Sequence, residues 1–173
     1  MTKVIQTTRN DHLIAWLAAL AITIHILESG LPSPVPGVKP GLANVITIIV
    51  LCQYGWNSAA WVAILRVLVG SLVIGTFMSP TFVLSLSGAL GSLIILGVAN
   101  GLSRYLPYWA VGAIGYSLLA AMAHMGAQFL AAYILFIPHN ALFNLLPVLM
   151  TFAVIFGVVS GVIANTVLKR ISE

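Results

Sequence analysis

The sequence predicts an all-α integral membrane protein, with six transmembrane helices in one domain spanning residues 1–173. Two observations carry that prediction. Hydrophobic residues make up 61% of the 173 positions and charged residues only 6%, for a mean hydropathy of +1.11. A soluble domain carries about 25% charged residues, so this chain has too little polar surface to face water. The apolar residues also form continuous runs, without the period-2 alternation of a membrane barrel. A soluble enzyme, a nucleic-acid binder and a disordered tail are excluded on the same grounds. The net charge of +4 reflects scarce acids, and charges so sparse make no basic patch. The single cysteine, Cys52, excludes an internal disulfide framework and a cysteine-based metal site.

A spanning helix needs about 20 mostly apolar residues, and Pro, Gly, Asn and charged clusters delimit the runs. The first span extends from about Leu13 to Leu27 and stops at Glu28 and a Pro/Gly-rich loop, Gly30 to Gly37. Lys3 and Arg9 precede it, but no small-residue cleavage pattern comes before Glu28, so it is expected to be a retained span and not a leader. The second, about Leu42 to Cys52, is short. A third covers Ser58 to Ile74, stopped by Gly75 and Pro80, and a fourth covers Phe82 to Val98, ending at Asn100-Gly101. The fifth runs from Trp109 to Ile137 and is closed by Pro138-His139-Asn140. The sixth, about Leu142 to Leu168, meets Lys169-Arg170.

Six spans put both termini on one side, together with the loop around residues 101–107. That side holds Lys3, Arg9, Arg104, Lys169 and Arg170, while the other holds only Lys39. Positively charged loops stay in the cytoplasm, so both termini are expected there, with the protein multi-pass in the cell's inner (plasma) membrane. Arg66 lies within the third span. A charge at mid-bilayer costs about 2.5–3.5 kcal/mol and usually faces a cavity or a partner. As the ninth residue from either end of that span, Arg66 has little scope to snorkel.

The same topology gathers polar residues from every span into the outer leaflet. They are His25 and Glu28, Lys39 and Asn44, Ser85 and Ser87, His124 and Gln128, and Asn140 and Asn144. Such a set is what a pocket open to the outside requires. His124 and Gln128 are four residues apart and share a helix face, though interhelical hydrogen bonding alone accounts for such a pair. His25 beside Glu28 reads as an interfacial pair, since no second carboxylate–histidine pair exists to build a metal site. Ala15 and Ala19, Ala123 and Ala127, and Gly157 and Gly161 have the small-xxx-small spacing that allows close helix approach.

The equipment for several chemistries is missing. There is no phosphate-binding Gly-x4-Gly-Lys-Ser/Thr loop. Asp11, Glu28 and Glu173 are the only acids, so the paired Asp-rich motifs that hold Mg²⁺ against a diphosphate are absent. His12, His25, His124 and His139 lack zinc-ligand spacing. Trp56, Trp61, Tyr105, Tyr108 and Trp109 sit near span ends, where an aromatic belt accounts for them. No enzyme activity, cofactor or metal is expected.

Several stretches carry a family resemblance. They are Glu28-Ser29-Gly30-Leu31-Pro32, then Pro36-Gly37-Val38-Lys39-Pro40-Gly41-Leu42-Ala43-Asn44, then Leu65 to Ser71, Ser85 to Ala89, and the His124–Gln128 pair. With these the chain resembles the Gx transporter family, also labelled heptaprenyl diphosphate synthase component I. It departs at Pro40, where leucine is usual, and at Met125, where asparagine commonly follows the histidine. The family is similar in turn to the six-helix substrate-binding (S) subunits of energy-coupling factor transporters. The resemblance implies an S-component-like bundle that binds its ligand near the outer face, beneath the loop of residues 30–41. It also implies that Ala15 and Ala19 meet a transmembrane coupling protein driven by separate ATPases.

The function expected is a substrate-binding subunit for uptake of a small, anionic solute. Arg66 would take the anionic group, and His124, Gln128, Ser87 and Asn144 would hydrogen-bond. Lys39 and Asn44 would serve the lid, with Glu28 balancing Lys39 or Arg66. The alternative is a non-transporting accessory subunit that partners membrane redox proteins in a quinone- or flavin-linked system. A catalytic prenyltransferase component is disfavoured by the missing metal ligands.

Overall fold

The computed structural model describes residues 9–30, 41–105 and 111–173. Among these the chain is all helical. It comprises α1 (Arg9–Gly30), α2 (Leu42–Tyr54), α3 (Trp56–Ile74), α4 (Pro80–Tyr105), α5 (Ala113–Leu135) and α6 (Leu146–Ser172), with a 3-10 turn over Asn140–Leu145 ahead of α6. Five of the six are long and apolar enough to cross a membrane, and the protein is a multi-span membrane protein. The exception is α2. Its 13 residues reach only about 20 Å, short of the roughly 30 Å hydrocarbon core.

A short helix is tolerated here because α2 is enclosed by protein. Every residue from Val45 to Leu51 is buried, and these side chains form the centre of the main apolar core. Ala18 and Ala21 of α1, Ala59 and Val62 of α3, Leu96 and Ala99 of α4, Tyr116 and Ala120 of α5 and Ala164 of α6 pack around them. The other helices turn large apolar side chains outward, such as Val69, Leu72 and Val73 on α3 and Ile155, Val158, Val159 and Val162 on α6.

Local chemistry explains where the helices depart from the apolar runs. α4 begins two residues before Phe82 because Ser79 Oγ accepts from the Phe82 N–H at 3.3 Å and Pro80 suits a first helical position. It also continues through Asn100-Gly101, since an interior glycine costs only about 1 kcal/mol, and Arg104 sits favourably in its last turn. α5 begins at Ala113, not Trp109, because Gly112 is extended (φ −78°, ψ 174°). It ends before Ile137, where the N–H groups of Phe136 and Ile137 both turn back to the Ala132 carbonyl. The 3-10 turn delays α6 from Leu142 to Leu146, and Pro147 enters its first turn. α3 is closed by Gly75 in the left-handed region (φ 78°), whose N–H reaches the Leu72 carbonyl.

Small residues set the helix contacts. α5 packs extensively on both α4 and α6. A Cβ on Gly91 of α4 would lie 2.5 Å from Ala127 Cβ, and one on Gly161 of α6 would lie 2.7 Å from Ile114 Cα. The Ala123/Ala127 and Gly157/Gly161 stripes are therefore helix-packing faces. Trp56 at the start of α3 donates its indole N–H to the Leu93 carbonyl at 3.2 Å, tying the α2–α3 junction to the later part of α4.

Candidate functional site

A cavity of about 410 Å³ occupies the half of the bundle where α1 and α3 end and α2 and α4 begin. All six helices line it. His25 and Glu28 come from the last turns of α1, Gly41 and Asn44 from the start of α2, and Arg66 and Val67 from α3. Thr81, Leu84 and Ser85 of α4 follow a helical stripe. The long walls are α5, from Ser117 through His124 to Gln128, and α6, from Ala153 to Ser160.

Two buried charges organise one side. Arg66 is 6% exposed and Glu28 4%. Arg66 donates from Nη1 to Asn44 Oδ1 at 2.9 Å, while its Nε is buried without a partner among the described residues. Glu28 is the opposite charge acting on Arg66, but both its oxygens are committed elsewhere. Oε1 accepts from the Leu42 N–H at 2.6 Å and Oε2 from the Ala43 N–H at 3.3 Å. Gly41 stands at the N-cap of α2 with φ 70° and no side chain to offer, so a carboxylate from α1 caps α2. Free N–H groups and the positive end of the helix dipole make that a favourable place for an anion.

Both histidines of the wall are seated on glycines. A Cβ on Gly88 would lie 2.6 Å from His124 Nε2, and one on Gly70 would lie 3.0 Å from His25 Cδ2. His124 is held further by Ser92, whose Oγ is 3.3 Å from His124 Nδ1 and 3.0 Å from the Ala120 carbonyl oxygen. Gln128 lies one turn beyond His124 on the same face, as the spacing predicts.

Of the residues expected to form the site, Glu28, Asn44, Arg66, His124 and Gln128 are brought together. Two are not. Ser87 bonds its own helix, donating to the Leu84 carbonyl at 2.8 Å, and Ser85 takes the wall position. Residues two apart on a helix are rotated by about 200°, so Ser85 and Ser87 could not both face the cavity. Asn144 is exposed in the 3-10 turn, more than two turns ahead of the part of α6 that forms the wall. Lys39 and most of the 30–41 loop lie outside the described residues. Sequence reasoning missed Thr81, Ser117 and Ser160, and took His25 only as Glu28's interfacial partner. The signal was available for α5, because Ser117, Ala121, His124 and Gln128 recur at intervals of three and four.

A family model described as heptaprenyl diphosphate synthase component I matches residues 17–167. The chain belongs to that family. Every residue named above as lining the cavity falls inside the matched region, as does Ala19; Ala15 precedes it. No curated protein and no solved structure matches the chain. The residues present do not suit the metal-held diphosphate that the family's description suggests. Glu28 is the one carboxylate on the described wall, with both oxygens occupied. Among the described residues no group of three or more His, Cys, Asp or Glu could hold a metal ion.

Proposed function

We propose that this member of the family is a membrane-embedded substrate-binding subunit that takes up a small anionic solute with energy from a partner. Arg66 carries the reading. It is a permanent cation near the middle of a membrane helix, and it forms part of the wall of a cavity. Burying a charge seldom adds stability over an apolar residue, so its position is best explained by a ligand it recognises. Asn44, His124 and Gln128 supply hydrogen bonds around it. The bundle is S-component-like on this reading, with both termini cytoplasmic and the cavity toward the outside of the inner membrane. Lys39 and the 30–41 loop would cover it. Ala15 and Ala19 are exposed on α1 beside Trp16 and Leu20, which suits contact with a coupling protein driven by ATPases.

The test is native mass spectrometry of the tagged protein, gently extracted from its own membrane. Wild type should retain a small molecule, and Arg66→Ala and Gln128→Leu should both retain less of it, Arg66→Ala least, while remaining folded by thermal melting. Bound redox proteins with no solute would move the assignment to the accessory-subunit role. Equal retention by both variants would overturn the site.

A further inference from the structure

We infer that Ser92 is a positioning residue, fixing the His124 ring so that Nε2 offers the cavity a hydrogen-bond acceptor, and that the solute carries a matching donor. This rests on the solute-binding reading and narrows its chemical class. The Ser92 hydroxyl has a single hydrogen but several neighbours. Its Oγ lies 3.0 Å from the Ala120 carbonyl oxygen, 3.1 Å from that of Gly88 and 3.3 Å from His124 Nδ1. Carbonyl oxygens can only accept. Were the hydroxyl to donate to Nδ1, the contacts at 3.0 and 3.1 Å would be oxygen against oxygen with no hydrogen between them. With the hydrogen turned to the carbonyls, Nδ1–H donates to Oγ and every contact is satisfied.

A neutral imidazole has one N–H, and the bond made by one nitrogen decides what the other presents. Nε2 is therefore left with a lone pair, and it makes no hydrogen bond among the described residues. The ring meets Gly88 by its face. A Cβ there would lie 2.6 Å from Nε2, 2.7 Å from Cε1 and 2.8 Å from Cδ2, whereas an edge-on approach would leave both carbons clearly farther than the nitrogen. The in-plane lone pair of Nε2 is thus not turned on Gly88. Neither Ser92 nor Gly88 lines the cavity, while His124 does, so Nε2 is the polar atom the ring has left for it. A solute with a hydroxyl, an amine or a ring N–H at this point completes the bond. One that brings only acceptors sets two lone pairs against each other out of water, a mismatch that rejects analogues strongly. A hydroxy- or amino-substituted acid, with its anionic group at Arg66, fits these terms, and an unsubstituted acid does not.

Nitrogen-15 NMR of the histidine side chains in the purified protein reads the tautomer directly, at about pH 8 where an ordinary imidazole is neutral. Signals lost in His124→Asn assign the ring. Wild type should show Nδ1 protonated and Nε2 unprotonated. Ser92→Ala should move the ring toward Nε2–H and lower solute occupancy about threefold to tenfold, the worth of a neutral hydrogen bond. Ser92→Thr keeps the hydroxyl and should restore the wild-type tautomer. The wild-type spectrum decides even where a variant fails to fold. Fragmentation mass spectrometry of the released solute should find an O–H or N–H besides its acidic group. A wild-type ring protonated at Nε2, or at both nitrogens, overturns the inference and leaves a solute-binding subunit standing. So does a retained solute with no such donor, the acceptor then being answered by the protein, Lys39 included. If no solute is retained, the solute-binding reading itself fails and takes the donor requirement with it, whatever the tautomer.

Discussion

Thr47 Oγ1 and Arg66 Nε are both buried without a hydrogen-bond partner among the described residues, and both residues line one small void of about 10 Å³ between α2, α3, α4 and α5. Asn44 and Ser92 line it too. One water needs about that volume and two to four polar neighbours, so a high-resolution map should show one there. Thr47→Val would take the hydroxyl partner from that water and lower stability by about 1 kcal/mol, whereas Thr47→Ser should melt like wild type. The two serines of α4 provide a second check. Ser87→Ala should leave solute occupancy unchanged, because its hydroxyl serves its own helix. Gln128→Leu should reduce occupancy about threefold to tenfold, the loss of one neutral hydrogen bond. Arg66 was legible in the sequence because a charge inside an apolar run violates the rule for lipid. Ser87 was expected at the site because depth in the membrane was weighed and rotation about the helix was not.

At the scale of elements, α1 and α2 are joined through Glu28 as well as through the chain. Its carboxylate spans 14 residues in sequence to reach the Leu42 N–H, and it stands in for the cap that Gly41 cannot supply. Glu28→Gln keeps the shape but loses the charge and one acceptor. It should destabilise the protein by about 1–2 kcal/mol, with faster hydrogen exchange at the Leu42 and Ala43 amides. The α4–α5 contact is equally specific. Gly91→Leu would drive a side chain into Ala127 and the Ala123 carbonyl, at a cost of about 1–3 kcal/mol for overpacking. Gly30→Ala, with nothing among the described residues within 4 Å of the added carbon, should stay within about 0.5 kcal/mol of wild type. Thermal unfolding in detergent measures all three.

For the molecule as a whole, α2 decides how the six helices are arranged. It is too short to span a bilayer by itself, yet its first residues meet the cavity and its end is tied by Trp56 to the later part of α4. It therefore joins the two ends of the bundle from inside. On the proposed topology, tags at both termini should resist protease in right-side-out vesicles and be cut in inverted ones. Ala15→Leu with Ala19→Leu should abolish co-purification of a coupling protein and leave solute retention intact. Those two residues lie on an exposed face of α1, apart from the cavity.

Membrane residence, the helical class and the six elements followed from the sequence alone, because lipid imposes long apolar runs that no other environment requires. The intramembrane arginine and the His124–Gln128 face followed too, being exceptions to that rule at helical spacing. Only the tertiary structure decided that α2 is a buried core helix, since hydropathy does not distinguish lipid from protein as a solvent. It alone revealed that Glu28 caps α2, that Gly70 and Gly88 seat histidine rings, and that Ser117 and Ser160 reach the same cavity. Those relations depend on how helices are rotated and how closely their backbones approach. A one-dimensional pattern of apolar residues, nearly uniform around each helix, does not encode that rotation.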